Sequence, residues 1–152
     1  MKQMLAALAL VVSGQAAYAD EARCMALNLY FEARGGTEEE QAAIAGVVLN
    51  RVADRRWPST VCGVVHQARR KNGNIVKHKC QFSWYCDGRS DQPKDAQAWA
   101  RAKRVAETAT RWYKQGEDFS GGATHYHADY VSPRWARKLQ RTTKIGTHIF
   151  YK

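Results

Sequence analysis

A glycine pair, Gly35-Gly36, closes an apolar, aromatic-rich stretch and leaves one carboxylate, Glu32, in what reads as the last turn of a helix. Glycine ends helices because it takes the left-handed conformation without the cost of a Cβ. Leu27-Asn28-Leu29-Tyr30-Phe31-Glu32-Ala33-Arg34 must therefore bury a face and then stop. The spacing predicts a helix from about Glu21 to Arg34 with Asp20 as its N-cap. Met25, Leu29 and Glu32 fall on one side of it, and Ala26, Leu27, Tyr30 and Phe31 widen the apolar surface. Apolar neighbours and the negative end of the helix dipole both favour the protonated form of Glu32, while Arg34 pulls the other way. A carboxyl that keeps its proton near neutral pH is the kind that can donate it to a glycosidic oxygen. On local pattern alone, Glu32 reads equally well as a helix-terminal glutamate paired to Arg34 or Arg51.

The N-terminus reads as a leader. Lys2 is followed by an apolar run from Met4 to Val12 and by the small-x-small tripeptide Ala17-Tyr18-Ala19, the pattern of a secretory signal peptide over residues 1–19. Cleavage after Ala19 would leave residues 20–152, long enough for one domain with a modest core. The formal charge of +10 then falls to +9 with the loss of Lys2. That balance favours anionic partners. For an exported chain, envelope polymers come ahead of nucleic acid, which is not expected as a partner. No later stretch is long and apolar enough for stable membrane insertion, so a periplasmic or secreted monomer is expected. Cys24, Cys62, Cys80 and Cys86 make an even count, which in an exported chain reads as two disulfides with three possible pairings. The preferred pairing is Cys80–Cys86 with Cys24–Cys62, although sequence does not determine connectivity.

Thr37 and Glu40 stand three apart as a capping box before a helix with Ile44, Val47, Val48 and Val52 on one face. That helix should end before Trp57-Pro58. Ser59 is the expected cap of a short helix holding Val61, Val64 and Val65. Ala68 to Pro93 reads as a long functional loop with room for a small hairpin. Helical period returns from Asp95 to Lys114, with Trp99, Ala102, Ala106, Ala109 and Tyr113 as its stripe and Gly116 as its end. Two strand-like runs, Ala123–Val131 and Thr142–Tyr151, would pair as one antiparallel ribbon. The expected class is α+β, mostly helical with a small antiparallel β-sheet, lysozyme-like in scale.

Six pieces in order resemble the bacterial cell-wall hydrolase family that includes the spore-cortex-lytic enzymes. They are Ala26–Gly36 (ALNLYFEARGG), Ala45–Val52, Gln81-Phe82-Ser83, Asp87-Gly88, Gly122–Tyr126 and Ile145–Phe150. The resemblance implies a lytic-transglycosylase-like fold acting on peptidoglycan glycan strands without a cofactor. It implies Glu32 as the catalytic acid and base. It also implies substrate contacts from Tyr30, Gln81, Ser83, Thr124, Tyr126 and His148, with His148 alternatively bracing the sheet. One carboxyl can serve both proton transfers when the sugar's own 6-hydroxyl is the nucleophile. If water attacks instead, Asp87, Glu117, Asp118 and Asp129 are candidate partners. Spore enzymes often carry a wall-binding module ahead of the catalytic part. None is read here, so periplasmic remodelling is expected rather than cortex degradation.

Two other readings remain open. On a strand, His125, His127 and Asp129 would face one side, an acceptable zinc set for a peptidoglycan amidase. A basic, disulfide-braced domain could also bind wall without cutting it. Trp84, Tyr85 and Trp135 join Tyr30 and Tyr126 as aromatics able either to stack on sugars or to fill the core.

Overall fold

The computed structural model describes the backbone of residues 2–152 and the side chains from Gly14 onward. The leader expected at residues 1–19 thus rests partly on side chains outside the described residues. The first helix, α1 (Lys2–Ala33), is longer than the expected Glu21–Arg34. The alanine-rich segment before Asp20 carries no proline and propagates the helix straight through the expected cap. Among the described residues, no helix is long and apolar enough to cross a membrane.

Gly35-Gly36 turns the chain into α2 (Glu38–Ala53), where the Thr37 hydroxyl accepts from the Glu40 amide at 3.1 Å. Only half of the capping box forms, because the Glu40 carboxylate is engaged elsewhere. Helix α3 (Val61–Val65) is capped by Thr60 rather than Ser59, its hydroxyl accepting from the Gly63 amide. Helix α4 (Ala96–Lys114) starts at the expected cap, Asp95, and its chain turns off at Gly116 with φ +87°. Ala98, Ala102, Ala106 and Ala109 are buried along α4. Their small side chains let it lie close against α1 and α2. The core fills this helical layer with Met25, Leu29, Ile44, Val47, Val48, Val64 and Val65.

Ala68 to Pro93 is more ordered than a loop. Strands β1 (Ala68–Lys71) and β2 (Asn74–Cys80) form a hairpin around Asn72-Gly73, both with positive φ. A 3₁₀ turn follows at Ser83–Cys86. The C-terminal part is a three-stranded antiparallel sheet: β3 (His125–Ala128), β4 (Arg141–Ile145) and β5 (His148–Tyr151), ordered β3-β5-β4. The expected single ribbon was one strand short. Gly146, at φ +55°, folds the second run into a hairpin with a two-residue loop.

Both preferred disulfides are present, Cys24–Cys62 tying α1 to α3 and Cys80–Cys86 tying β2 to the 3₁₀ turn. The first spans 38 residues of sequence, and its loss releases chain entropy worth about 4 kcal/mol in the unfolded state. The double variant Cys24→Ser/Cys62→Ser should show that loss as a lower urea midpoint with a somewhat steeper slope, because the freed unfolded chain expands and exposes more surface. An unchanged midpoint would mean that packing alone holds α1 to α3.

Candidate active site

Glu32 occupies the last turn of α1, half-buried, where two cavities meet. The larger, about 850 Å³, is bordered by Glu32, Glu40, Ser83, Asp87, Asp91 and His148 among others. The smaller, about 210 Å³, is bordered by Glu32, Arg51, Gln81, Ser83 and Tyr126 together with Cys80 and Phe82. Desolvation raises the Glu32 pKa above the ordinary carboxyl value. A hydrogen bond from Tyr126 and the electrostatic influence of His148 and Arg51 only partly offset it. The Tyr126 hydroxyl donates to Glu32 Oε2 at 2.7 Å, and burial pushes that phenol's own pKa well above its usual range. Glu32 Oε2 is thereby the oxygen that Tyr126 engages.

Three local devices bring these groups together. Asn28, fully buried one turn before Glu32, accepts from the Trp84 indole at 3.0 Å, and Trp84 stacks on Phe31. That anchors the 3₁₀ turn to α1 and sets Gln81 and Ser83 beside Glu32. Asn50 of α2 donates to the Ala123 carbonyl and to Asp118, and Arg51 Nε donates to the Thr124 carbonyl at 2.7 Å. Those bonds fix the entry to β3 and hence Tyr126 two residues on. Within the sheet, Tyr126 lies opposite Phe150, so Tyr126, Phe150 and His148 share one face.

Behind His148 sits a second carboxylate. Glu40 is 2% exposed and its Oε1 accepts from the Thr147 amide, the Thr147 hydroxyl and His148 Nδ1. Burial raises its pKa, but the bonds from His148 and Thr147 outweigh that and leave it below the ordinary value. A Cβ on Gly36 or on Gly146 would land on this carboxylate, so both glycines are there for close approach.

Of the residues expected at the site, Gln81, Ser83, Tyr126 and His148 border the two cavities with Glu32. Two expectations need correction. Tyr30 touches the larger cavity, but it is 1% exposed and has no ring face to stack on a sugar. Its hydroxyl instead accepts from the Lys94 and Asp95 amides at the start of α4. Thr124 is buried, with its carbonyl taken by Arg51 and its hydroxyl against His125 Nδ1. The zinc set does not converge either. Both ring nitrogens of His127 are engaged, by the Ala128 carbonyl and the Tyr151 hydroxyl, and Asp129 pairs with Lys144 at 2.7 Å. Among the described residues, no group of three His, Cys, Asp or Glu side chains is placed to hold a metal.

Arg51 and Glu40 were not foreseen as site residues. The signal for both was their spacing, since positions 40, 44, 47, 48 and 51 form one stripe of α2. A charged residue on an otherwise apolar stripe is buried for a reason.

Comparison with known proteins bears on the family and the fold. The Cell Wall Hydrolase family model matches residues 35–151, beginning just after Glu32. A spore cortex-lytic enzyme of Oceanobacillus iheyensis is 31% identical over 134 residues, 88% of this chain and 42% of the relative. That of Bacillus cereus is 30% identical over 134 residues, 88% of this chain and 44% of the relative. The chain thus spans less than half the length of these relatives. The catalytic domain of the germination-specific lytic transglycosylase SleB from Bacillus anthracis superposes with a TM-score of 0.64 at 30% identity, covering 87% of this chain and 93% of that one. The SleB catalytic domain of Bacillus cereus gives 0.64 at 28% identity, covering 87% and 89%. The α+β, lysozyme-like architecture is therefore shared across nearly the whole of those domains, and the chain belongs to the Cell Wall Hydrolase family.

Proposed function

We propose that this chain cleaves the glycan strands of peptidoglycan by lytic transglycosylation, with Glu32 as the single acid and base. The observation that carries the reading is that Glu32 borders both cavities. A polymer lying through both crosses the carboxyl in mid-chain, as cleavage within a strand requires. Of the relatives above, SleB of Bacillus anthracis is described as a lytic transglycosylase, which supports the same reaction type here.

In the first step Glu32 gives its proton to the bridging oxygen, and the bond from that oxygen to C1 of the muramic residue breaks. The electron pair leaves with the oxygen. In the second, the 6-hydroxyl oxygen of the same residue bonds to C1, and its proton returns to Glu32. A 1,6-anhydro ring closes, no water is consumed, and no cofactor is needed. A raised pKa suits the first step, and the Tyr126 hydrogen bond steadies the anion between the two. The candidate partners for hydrolysis fit less well. Asp118 is tied to Asn50, Ser120 and Gly122, Asp129 is paired with Lys144, and Glu117 borders neither cavity. Asp87 alone of the four borders the larger one.

Export after removal of residues 1–19, and action as a monomer in the periplasm, belong to the same proposal. The two disulfides suit an oxidising compartment. The exposed cations Arg69, Arg70, Lys71, Lys77 and Lys79 on the β1–β2 hairpin, which joins the smaller cavity through Gln81, would hold an acidic wall.

Digestion of purified peptidoglycan, with the fragments weighed by mass spectrometry, tests the reading. The expected products end in 1,6-anhydro-muramic acid. Reducing ends, heavier by one water, would replace transglycosylation with hydrolysis and turn attention to Asp87. Free stem peptides would overturn glycan cleavage altogether.

A further inference from the structure

Arg51 is an arginine with a charge and no partner for it. The residue is 3% exposed. Its Nε is used by the Thr124 carbonyl, but Nη1 is buried with no hydrogen-bond partner. Among the described residues, none of the ion pairs within 4 Å involves it. Its guanidinium lies 4.3 Å over the Trp57 ring and 5.5 Å over Phe82, which hold it in place but carry no formal charge. A buried cation without an anion is costly, and a neutral donor could make the bond to Thr124 as well. The carboxyl that borders the same small cavity is Glu32.

We infer that Arg51 is the built-in counter-charge for Glu32: a rigid, buried cation held beside the acid so that the carboxylate formed by proton donation meets a positive charge already in place. The inference rests on the assignment of Glu32 as the acid. While Glu32 is protonated, Arg51 stands alone. Once the proton has gone to the glycosidic oxygen, the pair is complete. The site is thus arranged for the charge distribution reached after the transfer, and no side chain has to move to meet it. Arg51 acts through Glu32 and is a positioning residue.

The groups facing Glu32 are Tyr126 on β3, His148 on β5 with Glu40 behind it, and Arg51 on α2. Those facing Arg51 are Glu32, Tyr126 and the neighbouring His125. Burial brings the arginine's own pKa down to about 10, so it remains charged throughout the working range.

The variants Arg51→Met and Arg51→Lys separate charge from packing. Two curves are needed for each and for the parent: the pH dependence of kcat/KM on peptidoglycan, and the titration of the Glu32 carboxyl carbon by NMR. In Arg51→Met the plateau rate should fall roughly tenfold to a hundredfold. The high-pH limb and the NMR midpoint should both move upward, because the anion has lost its cation. Arg51→Lys should keep both near the parent's values. A purely structural role predicts the opposite sign, since a loosened site admits water and lets Glu32 fall towards an ordinary carboxyl. An unmoved or lowered midpoint in Arg51→Met therefore overturns the inference. Should Arg51→Met fail to fold, Arg51→Lys decides: a structural arginine would lose its stacking there and show the downward shift. A rate limb that fails to follow the NMR titration of Glu32 in the parent would instead overturn the acid assignment, leaving the charge coupling to be read from NMR alone.

Discussion

Glu32→Gln should lower peptidoglycan cleavage by about 10²- to 10⁴-fold, the usual contribution of a positioned general acid, and should make the folded protein more stable at neutral pH. Glutamine has the shape of the protonated acid and still offers an oxygen to the Tyr126 hydroxyl, so the site should keep its form. The gain in stability follows from the raised pKa, whose main cause is desolvation. A carboxyl whose folded pKa lies above its unfolded value of 4.5 binds its proton more tightly in the fold. Its contribution is fully present below that value and is lost as pH rises through the folded pKa. Glutamine escapes the loss because it never ionises. The difference in Tm between variant and parent should therefore be small below pH 4.5 and grow as pH rises. Wild-type cleavage by Glu32→Gln would remove Glu32 from the chemistry. A variant less stable than the parent at neutral pH would mean that the carboxylate is welcome where it sits.

The elements that could be read from the sequence are those with local causes. Asp95 caps α4 by its own side chain, and Gly116 ends it by its own backbone. The position of Glu32 in the last turn of α1 followed from Gly35-Gly36 in the same way. The third strand of the sheet was missed although its signal was local. Gly146-Thr147 is a two-residue hairpin loop with glycine first, hidden inside a run that otherwise reads as continuous strand. The partners of Glu32 were harder to read, because each depends on a contact between elements far apart in sequence. Tyr126 reaches Glu32 across 94 positions, and Glu40 reaches His148 across 108. Glu40 also had a sufficient local explanation as the fourth residue of a capping box, which concealed its other use. Tyr30 shows the converse case. Its place in a motif beside the catalytic acid suggested substrate contact, yet its hydroxyl fixes the start of α4.

Glu40→Ala should cost about 3–5 kcal/mol of stability near neutral pH, the range expected when one partner of a buried polar pair is removed. The carboxylate is the common acceptor for the Thr147 amide, the Thr147 hydroxyl and His148. Alanine leaves all three donors facing an empty space between Gly36 and Gly146 that the fold had cleared for the carboxylate. Glu40→Gln fills that space and keeps an oxygen there, so it should cost less, about 1.5–3 kcal/mol for the lost charge on the hydrogen bonds. The pH dependence supplies the check. Burial raises the Glu40 pKa, the bonds from His148 and Thr147 lower it by more, and the folded value ends below the unfolded 4.5. A depressed carboxyl contributes stability that is present above the unfolded value and is lost as pH falls through the folded one. The gap between parent and Glu40→Ala should therefore be widest near neutral pH and close on acidification below pH 4.5, the reverse of the trend for Glu32→Gln. Chemical denaturation at pH 7 and again at about pH 3 reads both. A gap that stayed constant across that range would mean that the side chain stabilises the turn by filling space, with its charge playing no part.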